Sequence, residues 1–111
     1  VNVQIRRDRT FQPLTIASSA TTSDAVILGG KVLVGLVMPG TFTGTTITFT
    51  VSHDGTTYQA LYDDTNTQVS MTVAASRNYA LPDTLAAWPY FKIVSGSSEG
   101  GARTLYVVMK G

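Results

Sequence analysis

Thr46-Ile-Thr-Phe-Thr-Val-Ser-His-Asp-Gly-Thr-Thr-Tyr-Gln-Ala-Leu-Tyr62 decides the fold class. Ile47, Phe49 and Val51 alternate with Thr46, Thr48 and Thr50, the two-residue period of a strand with one buried and one wet face. Asp54-Gly55 follows with residues that accept positive φ, so a tight hairpin is predicted there, with residues 58–62 as the returning strand.

Outward from this segment the same grammar repeats. No stretch of ten or more residues carries a helical period, and turn chemistry interrupts the short apolar runs about every eight to twelve residues, the spacing of a sandwich or barrel. Gly29-Gly30, Pro39-Gly40, Asp63-Asp64-Thr65-Asn66 and the glycine-rich residues 96–101 supply the punctuation. Strands are predicted over residues 14–18, 25–28, 32–38, 46–52, 58–62, 68–74, 90–95 and 104–110. Residues 83–88, between Pro82 and Pro89, have room for one helical turn. The expectation is an all-β protein: a single antiparallel β-sandwich of about eight strands over residues 13–111, preceded by an extended N-terminal arm, residues 1–12.

The chain has 111 residues, enough to bury roughly two thirds of its unfolded surface in one core. Only 14% of residues are charged, against ~25% in an average domain. Solubility therefore rests on Ser, Asn, Gln and above all Thr, the commonest residue, whose branched Cβ suits a pleated surface. There is no cysteine, which excludes disulfides and thiolate metal sites. No apolar run approaches the ~20 residues of a membrane span, and no signal-peptide pattern opens the sequence, so a protein soluble as it stands, without membrane partners, is expected.

Charge is uneven. In residues 1–11, Arg6, Arg7 and Arg9 against Asp8 give +2, while the remainder, five basic against six acidic residues, carries −1. A basic arm containing Arg6, Arg7, Arg9 and Phe11 is a candidate docking segment for an acidic partner; a solvated chain end is the plain alternative. Val1, Val3 and Ile5 alternate with polar residues, so the arm has strand potential, either on a neighbour's sheet edge or on its own.

Two predicted strands break the inside/outside alternation expected of antiparallel sheets. Val32-Leu-Val-Gly-Leu-Val-Met38 and Leu105-Tyr-Val-Val-Met109 are apolar on both faces. Either loops or the arm cover their outer faces, or another subunit does, with Leu33, Val37, Tyr106 and Val108 as the contact residues.

Catalysis needs titratable groups held in register with a partner, and this chain has one His and one Glu. Ser52, His53 and Asp54 are consecutive in a turn and cannot form a triad. Glu99 lies among serines and glycines, without a nearby carboxylate for paired acid–base work. Asp63, Asp64 and Asn66 offer hard oxygen ligands, but their spacing is that of an Asx turn rather than a calcium loop. The expectation is a non-enzymatic protein without metal or cofactor. The body lacks the basic, aromatic-interleaved face of a nucleic-acid binder, and residues 96–101 lead into a strand rather than the helix terminus of a phosphate loop.

Two resemblances add to this reading. Val51-Ser-His-Asp-Gly-Thr-Thr-Tyr58 with the strand ending Tyr62-Asp63-Asp64 resembles the S-x-D-G-x-x-(W/Y) hairpin of discoidin-like, galactose-binding-type jelly rolls. Trp88-Pro-Tyr-Phe-Lys-Ile-Val94 looks like their A-R-Y-(I/V)-R-I strand, and residues 104–109 take the place of the closing strand. The likeness runs from about residue 25 to 110; Pro89 replaces the family's arginine, and its bridging cysteines are absent. It implies a jelly-roll sandwich and, as one alternative, a carbohydrate-binding module of a phage tail or fibre with His53, Trp88 and Tyr90 near a loop-end glycan site.

The second resemblance is to small virion proteins of tailed bacteriophages. It is carried by Phe42-Thr-Gly-Thr-Thr-Ile-Thr-Phe49, Ala74-Ala-Ser-Arg-Asn-Tyr-Ala-Leu81 and the cysteine-free Thr/Gly/Ala-rich style. It implies a capsid decoration or cement protein on the virion surface. Its partners would be the major capsid protein or other virion proteins, and it would form a homo-oligomer, for instance a trimer, that bridges capsomers.

Overall fold

The structure, a computed structural model, describes residues 9–29, 31–81 and 88–110. Nine strands are present among them: β1 (Arg9–Ile16), β2 (Val26–Ile27), β3 (Val32–Val37), β4 (Thr46–Ser52), β5 (Gln59–Ala60), β6 (Ser70–Thr72), β7 (Asn78–Ala80), β8 (Tyr90–Ser95) and β9 (Arg103–Lys110). They form two antiparallel sheets. The first has the order β1-β9-β3-β7, and the second the order β2-β8-β4-β5, with β6 also paired to β4. The architecture is the expected antiparallel β-sandwich.

The core follows from alternation. In β4, Ile47, Phe49 and Val51 are buried while the threonines between them face outward. From the facing sheet Leu14, Ile16, Leu33, Leu36, Leu105, Val107 and Met109 point inward and meet Phe49, Phe91 and Ile93 in one cluster. Side chains of this size, fully buried, are worth about 1.5–3 kcal/mol each against exposure. Among the described residues no helix is long and apolar enough to cross a membrane.

Three features differ from the sequence expectation. First, β1 begins at Arg9 and pairs with β9 from Arg9↔Lys110 to Ile16↔Arg103, so residues 9–12 of the expected arm are part of the sheet. The first strand had been expected over residues 14–18, and the observed one passes through Pro13. On an edge strand, however, proline costs no ladder bond where its missing N–H faces away from the neighbour. Residues 1–8, with Arg6 and Arg7, lie outside the described residues, as do 82–87, where a helical turn had room.

Second, β4 and β5 pair only at Thr50↔Ala60 and Val51↔Gln59, so a loop of several residues replaces the tight hairpin. Only Gly55 there has a positive φ, 78°. Third, β7 lies in a segment too short and polar to signal a strand, and it exists because β3 needs a partner on its free edge: Gly35↔Ala80, Leu36↔Tyr79 and Val37↔Asn78.

Candidate functional site

The register of the first sheet assembles an outward face from strands distant in sequence. Phe11, Val108, Gly35 and Ala80 stand in one row across β1, β9, β3 and β7, and Pro13, Tyr106, Val37 and Asn78 in the next. Phe11 is 59% exposed and Tyr106 43%, so no described element covers these two apolar rows. Arg9 and Lys110 lie opposite each other at one end.

Gly35 follows a β-bulge at Val34. The Val34 carbonyl accepts a hydrogen bond from the Leu81 amide at 3.1 Å. A Cβ on Gly35 would stand 3.3 Å from both Cβ and Cγ2 of Val108, so the glycine lets the valine lie flat across the face.

Four candidate contact residues, Phe11, Val37, Tyr106 and Val108, thus share one surface, and Arg9 borders it. Leu33 does not belong to it. The bulge shifts the alternation in β3, so Leu33 and Leu36 both turn into the core, Leu33 with only 2% exposure. Pro13 and Ala80 join the face without having been singled out. The outward face of the second sheet is different in kind: Thr46, Thr48 and Thr50 stand beside Thr72, Ser70, Val94 and Lys92. That face is mainly polar where the first is apolar, although the Thr50 hydroxyl on it is buried.

At one end of the sandwich a single carboxylate gathers three loops. Glu99 is 1% exposed. Its Oε1 accepts hydrogen bonds from the Thr43 amide (2.8 Å) and from Arg103 Nε (2.9 Å). Its Oε2 accepts from the Gly44 amide (3.0 Å) and from Ser95 Oγ (3.0 Å). Its own backbone pairs with Ser19 and Ala20. Burial pushes the Glu99 carboxyl up. The Thr43 and Gly44 amides, Arg103 and Ser95 outweigh that effect, and the net pKa lies below the ordinary glutamate value.

A Cβ on Gly44 would collide with Ser95 Oγ. Gly44→Ala is therefore expected to cost about 1–3 kcal/mol, read as an earlier midpoint in urea denaturation; an unchanged midpoint would show that Ser95 moves aside freely. Glu99 was legible only as the chain's single glutamate, with Arg103 four residues on.

The β4–β5 loop is tied down rather than loose. Asp54 Oδ1 accepts from Ser52 Oγ (2.8 Å) and from the Thr56 and Thr57 amides (2.9 and 3.0 Å), while Ser52 Oγ accepts from the Gly55 amide at 2.9 Å. The Thr56 and Thr57 amides chiefly hold the Asp54 carboxyl far below the usual range. Gly55 rests on the Tyr90 ring, which a Cβ would meet at 3.3 Å.

Beside this loop lies an open hollow of about 340 Å³, lined by residues that include Val51, His53, Thr57, Gln59 and Trp88. Of the three candidate glycan contacts, His53 and Trp88 line it; Tyr90 instead supports Gly55 from below. Thr57 and Gln59 were not singled out from the sequence. At the other Asx turn, Asp63 Oδ1 accepts from the Thr65 and Thr67 amides and the Thr65 hydroxyl, with Asn66 left-handed at φ 62°, so this carboxylate closes its own loop.

Among known structures, the architecture has a full-length counterpart. The fold resembles that of SPBc2 prophage-derived protein YomS. The likeness has a TM-score of 0.60 at 17% identity and covers 99% of this chain and 100% of that one. No family model matches the chain, and no curated protein sequence does. At this identity the likeness shows the fold.

Proposed function

We propose that this protein is a non-catalytic structural component of a tailed-phage particle: a decoration or cement protein that lies on the outer shell and bridges neighbouring capsomers. The observation that carries the reading is the asymmetry of the two outer faces. One is covered with threonine and serine, and the other holds Phe11, Pro13, Tyr106, Val108 and Val37 in register, with Arg9 and Lys110 at its end. A soluble domain gains nothing by keeping such a face bare, whereas an interface does. The shared fold of a prophage-derived protein supports a phage setting.

The partner is the major capsid protein or another virion protein, presenting an apolar surface to this face. Copies cluster around symmetry positions of the shell, for instance as trimers, and many modest contacts sum through avidity. A position on the tail is the alternative within the same reading. Purified protein added to shells lacking it is expected to co-sediment and to saturate at a copy number fixed by shell symmetry. Unsaturable binding, or none, overturns the proposal.

A further inference from the structure

The apolar face of the β1-β9-β3-β7 sheet is complementary to itself. We infer that in free solution it is closed by a second copy of this chain, related by a two-fold axis that runs parallel to the strands between β9 and β3. Such a dimer needs no shell, so it stands independently of the proposed docking.

The face has three rows. Arg9, Lys110 and Val32 stand in the first, Phe11, Val108, Gly35 and Ala80 in the second, and Pro13, Tyr106, Val37 and Asn78 in the third. Its relief is uneven. Phe11, 59% exposed, and Tyr106, 43% exposed, rise from β1 and β9. Gly35 and Ala80, on β3 and β7, offer at most a methyl group, and Val108 lies so close to Gly35 that a Cβ there would stand 3.3 Å from it. One half of the face is high and the other low.

Symmetry decides how two such faces meet. Turned about an axis parallel to the strands, the copies place β1 over β7 and β9 over β3, each row facing its own counterpart. Phe11 then meets the partner's Ala80, Val108 the partner's Gly35, Tyr106 the partner's Val37 and Pro13 the partner's Asn78. The aliphatic stem of Lys110 covers the partner's Val32 while its ammonium reaches water. Every contact is made twice, and bulky side chains oppose small ones, the condition for facing layers to interdigitate. An axis across the strands instead sets Phe11 on Pro13 and Tyr106 on Val108, with a void over Gly35 and Ala80. The parallel axis also keeps the strand directions of the two sheets aligned, a common geometry of stacked sheets.

Area sets the strength. With side-chain margins, three strand spacings of ~4.8 Å and three rows ~6.8 Å apart give about 400 Å² per copy, or roughly 800 Å² in all. That is short of the ~1,200 Å² at which stable complexes begin, so the dimer is reversible, with a Kd on the order of 100 μM. Dimer and shell compete for one face. Free protein keeps its apolar surface covered until a shell displaces the second copy.

Sedimentation velocity on the full chain, without shells, is expected to show a monomer–dimer equilibrium between about 5 μM and 1 mM. Phe11 and Ala80 are both exposed, so changing them leaves the fold intact, which an unmoved melting transition verifies. Phe11→Ala removes the protruding side chain and Ala80→Phe fills its seat; each is expected to weaken the dimer at least about ten-fold. The double variant Phe11→Ala/Ala80→Phe exchanges the two roles and is expected to return the Kd to within about three-fold of wild type. Thr48→Asp, on the other sheet, should dimerise as the wild type does.

A chain that stays monomeric throughout, a larger oligomer, or a double variant no better than the single ones overturns the dimer. A dimer whose chains never bind shells upholds this inference and fails the shell reading. Monomers that saturate shells do the reverse.

Discussion

Glu99→Ala is expected to lower the unfolding free energy by about 3 kcal/mol at neutral pH, the largest single effect from any polar residue of this protein. The change removes a buried acceptor that serves two backbone amides, a hydroxyl and a guanidinium. Each donor stranded in the interior costs about 1–3 kcal/mol, and breaking a buried ion pair from one side costs about 3–5. Arg103 and part of the loop relax toward water and recover some of that, hence the middling figure.

The pH dependence has a definite sign. The folded pKa of Glu99 lies below its ordinary value of 4.5. Its contribution is therefore fully present above that value and is lost as pH falls through the folded pKa. Urea titrations of the wild type and Glu99→Ala should differ by a constant amount above about pH 5, and the two should converge on acidification. A difference below about 0.5 kcal/mol at pH 7 would put Glu99 among ordinary surface residues.

The double variant Phe11→Asp/Tyr106→Asp is expected to bind shells at least about 100-fold more weakly, with the melting transition almost unmoved. Both side chains are exposed on the same outward face, 59% and 43%, so the fold does not depend on them. In an interface, each lost aromatic anchor is worth about 2 kcal/mol or more, and each new carboxylate must be desolvated. Repetition over many copies magnifies the loss. Thr48→Asp, on the outward face of the other sheet, serves as the control and should bind as the wild type does. Equal losses in both variants would point to general charge repulsion rather than a specific face.

How much of this was legible beforehand depends on the range of the interaction. Strand β4 was plain, because Ile47, Phe49 and Val51 alternate with threonines and period two is a local signal. The double apolarity of residues 32–38 and 105–109 set these two strands apart. Which of their residues look outward was not readable, because the bulge at Val34 reverses the parity of β3 and takes Leu33 into the core. That reversal is set by pairing with β9, some seventy residues away. Strand β7 was missed because three residues with little apolar content carry no period; its reason for existing is the free edge of β3.

The start of β1 was misplaced because residues 9–12, next to the arginines, carry no apolar alternation of their own, and only their pairing with β9 makes them strand. The candidate sites divide the same way. His53 and Trp88 were singled out and do line one hollow, but Gln59 and Thr57 carried no signal, since an exposed polar residue beside a turn is ordinary. Glu99 was dismissed with its glycine-rich surroundings. The contacts that bury it come from residues 43 and 44, more than fifty positions upstream, and nothing local announces them.

The central claim is that the apolar face of the β1-β9-β3-β7 sheet rests on a virion shell. An electron cryo-microscopy map of shells saturated with the protein tests it most directly. The account predicts density at symmetry-related positions in which Phe11, Tyr106 and Val108 contact the shell and the threonine face of β4 looks outward to solvent. A map with the threonine face against the shell, or saturated preparations without ordered density on it, would contradict the account.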